Sequence, residues 1–297
     1  MNQNSIEWLK AAKDKLKTLP IKIKATLIFG SWARNEKTPN SDIDLLIISD
    51  QIAHKRHRRG REIALIKGWF SLGLPFDILL LTTEECISNF KNHNPLFLDI
   101  ACEGLIIIDE DNFLKNIMEE TKSYISDKKL EKLSDGWRFP VLYRKATYLS
   151  HVSNKDFAKA MFCDGERDFI VGSKIIEYGF FDKAVYNFQQ AIEKSIKSVL
   201  ISFGEFKKTH FVGSILMQKL KEVELENEWK ERLIDIANLS EEIEAEVTWS
   251  RYPGIDDGKL WIPSEEYTLD DAKEIKEKCK QVIDIGRAFF EWWFQNK

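Results

Sequence analysis

Two aspartates one residue apart, in Ser41-Asp42-Ile43-Asp44-Leu45, are where this sequence first points to chemistry. On a strand, residues i and i+2 share a face, so Asp42 and Asp44 project together while Ile43 packs behind them. Adjacent carboxylates repel unless a cation sits between them. Hard oxygen donors at this density suit Mg2+, which prefers octahedral coordination at ~2.1 Å and shares its shell with substrate phosphates. Upstream, the apolar run Leu27-Ile28-Phe29 ends on Gly30-Ser31, with ten residues between Ser31 and Asp42. A glycine lets the backbone approach a phosphate closely. A helix beginning near Trp32 would add free N–H groups for an anion, and Ser31 a hydroxyl donor. A third acid, Asp77, stands near the start of the apolar run Phe76 to Leu81, where burial without a partner is costly. Beside the Asp42–Asp44 strand it could complete a two-metal site and take the proton of an attacking hydroxyl.

Such a site needs strands to carry it. Ala25 to Phe29, Ile43 to Ile48, Phe76 to Leu81 and Leu105 to Ile108 are apolar runs of strand length bounded by Gly, Pro, Ser or Asp. Ile52 to Phe70 reads as a helix between the second and third, and Met1 to Pro20 as an amphipathic helix. These elements predict a small mixed sheet with helices packed on it, an α/β or α+β domain over residues 1–127. After about Asp111 no further strand is expected. Phe181 to Ile201 places Ala184, Val185, Phe188, Ile192, Ile196 and Val199 on one helical face, and Gly179 suits the left-handed end of a helix over Phe169 to Tyr178. Phe211 to Val223 and Trp229 to Val247 read as further helices, and Thr268-x-x-Asp271 as a capping-box start for a last long one. Residues 156–297 are therefore expected to form an all-α antiparallel bundle, with 128–155 connecting the two domains.

Composition supports this outline: 43% hydrophobic and 31% charged residues describe a globular protein. The longest apolar runs are too short to cross a bilayer, and the N-terminus lacks a signal-peptide layout, so a cytoplasmic protein with no membrane partner is expected. Four scattered cysteines, Cys86, Cys102, Cys163 and Cys279, read as buried free thiols. A net charge of −4 argues against broad affinity for nucleic acid. The one dense basic run, Lys55 to Arg61, could contact an NTP tail or an RNA but reads first as a solvated helix start.

Gly30-Ser31-Trp32-Ala33-Arg34 followed by Ser41-Asp42-Ile43-Asp44-Leu45 resembles the polymerase-β-like nucleotidyltransferases in their minimal form, over about Leu16 to Ile108. The resemblance implies that Gly30 and Ser31 hold the NTP phosphates, with Arg34 of the same motif also on the nucleotide. It implies that Asp42 and Asp44 bind Mg2+ and that Asp77 is the third carboxylate, the three forming the catalytic and metal set. Asn35 stands where this family commonly has Gly, and Asn tolerates the left-handed backbone such a position needs.

Farther on, Phe180-Phe181-Asp182-Lys183-Ala184-Val185, then Gln189-Gln190-Ala191-Ile192-Glu193-Lys194 with Lys197, and later Lys208-Thr209-His210, resemble the HEPN helical bundles over about Asp156 to Asn296. Taken singly, Gln190 and Lys197 read as a solvated helix face. A catalytic sheet followed by a helical bundle is also the layout of kanamycin nucleotidyltransferases, and HEPN resemblance raises the expectation of a homodimer through this domain. Ribonucleolytic HEPN domains carry an Arg followed by a His, with four to six residues between them. After Arg251 those positions hold Asp256, Asp257 and Gly258, which disfavours the ribonuclease reading; Arg251 reads instead as an ion-pair partner of Glu244 or Glu246, or as a reader of the acceptor. Arg144 and His151 have the spacing but precede the first HEPN helix.

The leading expectation is a Mg2+-dependent enzyme moving NMP, as AMP from ATP, to an acceptor hydroxyl with release of pyrophosphate. The acceptor could be a protein side chain, a small molecule or an RNA end. The alternative is a nucleotide-binding or toxin–antitoxin-like interaction module working through its HEPN domain.

Overall fold

The computed structural model describes residues 11–38, 41–69 and 75–295. The chain divides into two compact units, Met1–Lys129 and Leu130–Lys297. In the first, β1 (Ala25–Phe29), β2 (Ile43–Ile48), β3 (Phe76–Leu81) and β4 (Leu105–Asp109) lie where the apolar runs put them. They form one mixed sheet in the order β3-β2-β1-β4, with β1 antiparallel to β2 and β4, and β2 parallel to β3. Apart from Thr26, Asp44, Asp77 and Asp109 the strands are apolar, because both faces are covered. Leu45 and Ile47 pack toward Leu16 of α1 (11–17) and Ile66 of α3 (Gly60–Trp69), the one-turn α2 (Gly30–Ala33) coming between these helices in the chain. Leu46 and Ile48 pack toward Phe90, Ile100 and Met118, from α4 (Thr83–Lys91), α5 (Pro95–Glu103) and α6 (Phe113–Asp127). Of the amphipathic helix expected over 1–20, residues 1–10 lie outside the described residues.

The helix expected over Ile52 to Phe70 is shorter. A 3-10 turn, Arg56–Arg58, comes first and α3 begins only at Gly60, while Phe70 lies outside the described residues. The cause is Arg59, whose side chain turns inward and is 1% exposed. Its guanidinium donates to the carbonyls of Ala53 (2.7 Å), His54 (2.8 Å) and Leu80 (2.9 Å) and to both carboxylate oxygens of Glu85 (2.7 and 3.0 Å). The Ala53 and His54 carbonyls thus serve a side chain in place of a helical ladder. The basic run is accordingly not one solvated face: Lys55, Arg56, Arg58 and Arg61 are exposed, and Arg59 is a core group.

The second unit is helical, built on α7 (Asn154–Ile175), α8 (Phe181–Ser202), α9 (Gly213–Glu222), α10 (Asn227–Ile243) and, beyond the single turns α11 (Glu246–Trp249) and α12 (Pro263–Glu266), α13 (Leu269–Phe294). Val185, Phe188, Ile192, Ile196 and Val199 of α8 face Leu233, Ile236, Val282 and Phe289 in one core. Gly179 takes φ 77 between α7 and α8, and Thr268 and Asp271 form the capping box that opens α13, both as their residue types require. The helix expected over Trp229 to Val247 breaks at Ile243, where Glu244 turns its carboxylate onto the N–H groups of Val212 (2.7 Å) and Gly213 (2.6 Å).

Strands do recur after Asp111, contrary to expectation. β5 (Glu131–Leu133), β6 (Gly136–Arg138) and β7 (Glu205–Lys207) form a sheet in that order, and β8 (Gly254–Asp256) pairs with β9 (Lys259–Trp261). Three residues are too few to leave an alternating pattern, and β7 lies far along the chain from β6. The connecting segment packs with the second unit: Trp137 and Phe139 are buried, and Asn154 accepts from the Thr147 N–H and donates to the Ser202 carbonyl. Cys86 and Cys279 are buried, whereas Cys102 and Cys163 are exposed, because the latter two fall on the outer faces of their helices. No helix among the described residues is long and apolar enough to cross a membrane.

Glu85 gives the first unit a measurable acid sensitivity. Burial pushes its carboxyl up, but hydrogen bonds from Arg59 and the Thr82 N–H, with the charges of Arg59 and Arg56, outweigh this and hold it at about 2, against an ordinary 4.5. A depressed pKa stabilises the fold above about pH 4.5, a contribution that is lost as pH falls toward 2. Arg59→Ala should destabilise the unit by ~3–5 kcal/mol at neutral pH in urea unfolding, since it strands a carboxylate and three carbonyls. The difference from wild type should shrink steadily below pH 4.5; a pH-independent difference would show that the ion pair is not its source.

Candidate functional site

β1 ends by turning sharply into α2 (Gly30–Ala33), a single helical turn. Gly30 sits at φ 71, and a Cβ there would overlap the Asp44 carboxylate, so only glycine allows the backbone of this turn to lie against Asp44. The helix that the sequence suggests near Trp32 is thus one turn long, and its dipole is correspondingly small. Asn35 takes φ 60, the left-handed geometry expected of it. Ser41 is tied to this turn: the Trp32 indole N–H donates to its carbonyl (3.3 Å), and the Thr38 N–H donates to its hydroxyl (2.9 Å).

Pairing register does the rest. Phe29 stands opposite Asp44 on the antiparallel side of β2, and Asp77 stands beside Asp44 on the parallel side. Asp42, just ahead of β2, shares the face of Asp44 by the two-residue period, and Ile43 is fully buried behind them. Asp44 has the parity of Leu46 and Ile48, and Asp77 that of Leu79 and Leu81, so all three acids lie toward the face covered by α4, α5 and α6. Asp42 and Asp77 are exposed while Asp44 is half-buried. Burial raises the pKa of Asp44, the neighbouring charges of Asp77 and Asp42 raise it further, and Arg34 opposes them. Arg34 is held by Glu36 (2.6 Å) and by Glu103 at the end of α5 (3.1 Å). Asp77 accepts from the Ile78 N–H at 3.1 Å.

The structure therefore brings Gly30, Asp42, Asp44, Asp77 and Arg34 to one end of the sheet, with Ser31 in the turn itself. Among the described residues no three of His, Cys, Asp and Glu are drawn into a ready-made metal chelate. Burial first, and then the charges of Asp77 and Asp42, disfavour the ionised form of Asp44 where it stands. The donor set, all hard carboxylate oxygens, fits Mg2+. Sequence reasoning missed Glu103, which is far from the motif in sequence and is recognised only by its contact with Arg34.

In the second unit the solvated reading of the α8 edge does not hold. Glu193 is buried; it pairs with Lys197 (2.8 Å) and His210 (3.0 Å) and accepts from Gln189 (3.3 Å) and Gln190 (3.2 Å). Gln189, Gln190 and Lys197 turn inward because each satisfies this one carboxylate, while His210 meets it from the exposed side. Arg251 does not pair with Glu244 or Glu246 either. Its guanidinium stacks on the rings of Tyr186 and Tyr252, while Glu244 is taken by backbone N–H groups and Glu246 by the Tyr267 hydroxyl. Arg144 donates to the Trp292 carbonyl and stacks on its ring, a packing role.

Comparison with known proteins agrees with this division. The nucleotidyltransferase domain family matches residues 9–123, and the HEPN domain family matches residues 158–288. A candidate toxin of Methanocaldococcus jannaschii, MJ1304, is 31% identical over 138 residues, which is 46% of this chain and 91% of the relative. A candidate protein adenylyltransferase of the same organism, MJ1305, is 33% identical over 119 residues, 40% of this chain and 79% of the relative. A nucleotidyltransferase-like protein from Exiguobacterium sibiricum spans 97% of this chain and 77% of its own at 13% identity, with a TM-score of 0.40, too loose a likeness to carry an argument. The chain belongs to the nucleotidyltransferases, and it joins their catalytic domain to a HEPN domain in one polypeptide.

Proposed function

We propose that the first unit transfers AMP from ATP to an acceptor hydroxyl, releasing pyrophosphate. The observation that carries this reading is Asp44, set between a glycine turn with no room for a side chain and a second aspartate in register beside it. The adenylyl choice, and a protein side chain as the acceptor, are supported by the relative described as a protein adenylyltransferase.

In this reading Gly30 and Ser31 bind the triphosphate through backbone N–H groups and the Ser31 hydroxyl, and Arg34 neutralises part of its charge. Mg2+ held by Asp42 and Asp44, with Asp77 completing the donor set, would supply the remaining neutralisation. The Asp77 carboxylate takes the proton of the acceptor hydroxyl, whose oxygen bonds to the α-phosphorus as the bond to the bridging oxygen breaks. The chain contributes positioning and fixed charge, which is most of what phosphoryl transfer asks of a protein.

A second reading, an interaction module of the toxin–antitoxin kind acting through the HEPN half, has one observation behind it: the relative described as a toxin. The two are separated by whether the carboxylates matter.

Asp42→Asn and Asp44→Asn should each slow transfer by roughly a thousandfold, the size of several kcal/mol at the transition state, while far-UV dichroism stays unchanged. Near-native rates in labelled-ATP assays with Mg2+ would sink the site. Ser31→Ala should weaken ATP binding by ~1.5–3 kcal/mol in calorimetry, with a smaller effect on turnover, because its hydrogen bond is made before the transition state. Equal affinity in wild type and variant would remove Ser31 from the phosphate site. The full chain should leave mixed RNA intact without metal, since Arg251 is engaged by two tyrosine rings and Asp256 and Asp257 follow it. Cleavage that disappears in Arg251→Ala would instead establish the ribonuclease.

A further inference from the structure

The β5–β6–β7 sheet and α9 enclose a cluster of charge that plays no part in the proposed transfer. Glu205 on β7, 3% exposed at its side chain, is the common partner of three cations. Arg138 reaches it at 2.8 Å, Lys219 at 2.9 Å and Lys207 at 3.5 Å. Lys219 and Lys207 are themselves only 9% and 10% exposed. Burial pushes the Glu205 carboxyl up, but Lys219 and Arg138 overcome this and hold it below its ordinary value, so it stays ionised. One buried carboxylate among three cations leaves two positive charges over. Two carboxylates at the rim balance them, Asp135 on Lys207 (3.0 Å) and Glu131 on Arg138 (3.4 Å), and Glu222, at 3.4 Å from both Arg138 and Lys219, is one more than the balance needs.

Glu222 is the informative member. Charge-assisted N–H···O contacts close to ~2.7–2.9 Å when geometry permits, as those of Arg138 and Lys219 to Glu205 do. Glu222, on the last turn of α9 and 44% exposed, spans the same two cations without closing on either. Arg138, Lys207, Lys219, Glu205 and Glu222 all line a cavity of about 220 Å³. That is below the ~300–1,000 Å³ of pockets for nucleotide-sized or drug-sized ligands, but equals about seven waters by liquid volume.

We propose that this cavity is a binding site for a phosphate-sized oxyanion, seated between Arg138 and Lys219 with Lys207 beside it, and that Glu222 is the carboxylate it displaces. A tetrahedral anion presents oxygens in several directions at once, so it can meet both cations at close range where one glutamate reaches each at 3.4 Å. Glu205 stays in place as the fixed counter-charge of the two buried lysines.

The test is calorimetric titration of the full chain with inorganic phosphate, at constant pH and ionic strength, against a chloride control. Because the Gly30–Ser31 turn can also take phosphate, the reading lies in variants of the second unit alone. Glu222→Gln sits at the exposed rim and should tighten phosphate binding about fivefold or more, the effect of removing one like charge ~4 Å away in watery surroundings. The double variant Glu205→Gln/Lys219→Met removes one charge of each sign and should lose that binding. Unchanged affinity in Glu222→Gln, wild-type binding in the double variant, or no phosphate heat above the chloride control in the wild type would each overturn the proposal.

Discussion

Asp44 cannot move without disturbing everything around it. Its carboxylate lies where a Cβ on Gly30 would be, its strand neighbour is another carboxylate, and a third acid precedes it by two residues. Burial, and after it these like charges, raise the pKa of Asp44. A fold keeps such an arrangement only where rigid elements impose it. Here the imposing elements are the hydrogen-bonded register of β1, β2 and β3 and the buried side chains beneath them.

The sheet order β3-β2-β1-β4 gives that register its consequence. With β2 between an antiparallel and a parallel neighbour, one residue of β2 meets the end of β1 and the start of β3 together. A one-residue slip of either strand would send its aspartate to the face covered by α1 and α3. The apolar residues prevent this: Leu45 and Ile47 belong to one core, Leu46 and Ile48 to the other, and both layers are closed. The packing that stabilises the sheet is thus also what sets the acids side by side.

Elsewhere the protein keeps charge inside by gathering partners around it. Arg59 with Glu85, Glu193 with Lys197 and His210, and Glu205 with three cations follow one rule: a buried ion persists when each of its hydrogen-bonding positions is answered. These clusters tie distant segments together. Arg59 fixes the approach to α3 against β3 and α4, and Arg138 with Glu205 joins the connecting segment to the bundle.

The four strands of the catalytic sheet, the amphipathic stripe of α8, the capping box of α13 and the Gly30-Ser31, Asp42-x-Asp44 motif are local properties, set by residue type and by periods of two and 3.6. They stand in the sequence for that reason, and Asn35 and Gly179 even announce their left-handed backbone. What the sequence could not carry is whatever depends on partners far along the chain. The three-residue strands are held by neighbours and not by pattern, so β5, β6 and β7 leave no periodic trace. A polar helix edge such as Gln189-Gln190 reads as solvated until a buried Glu193 gives it something to satisfy. Arg59 looks like one more exposed cation in a basic run, and Arg251 like half of an ion pair. Which charge goes inside, and which aromatic ring or carboxylate receives it, is decided by desolvation against pairing in three dimensions, and only the tertiary structure sets that balance.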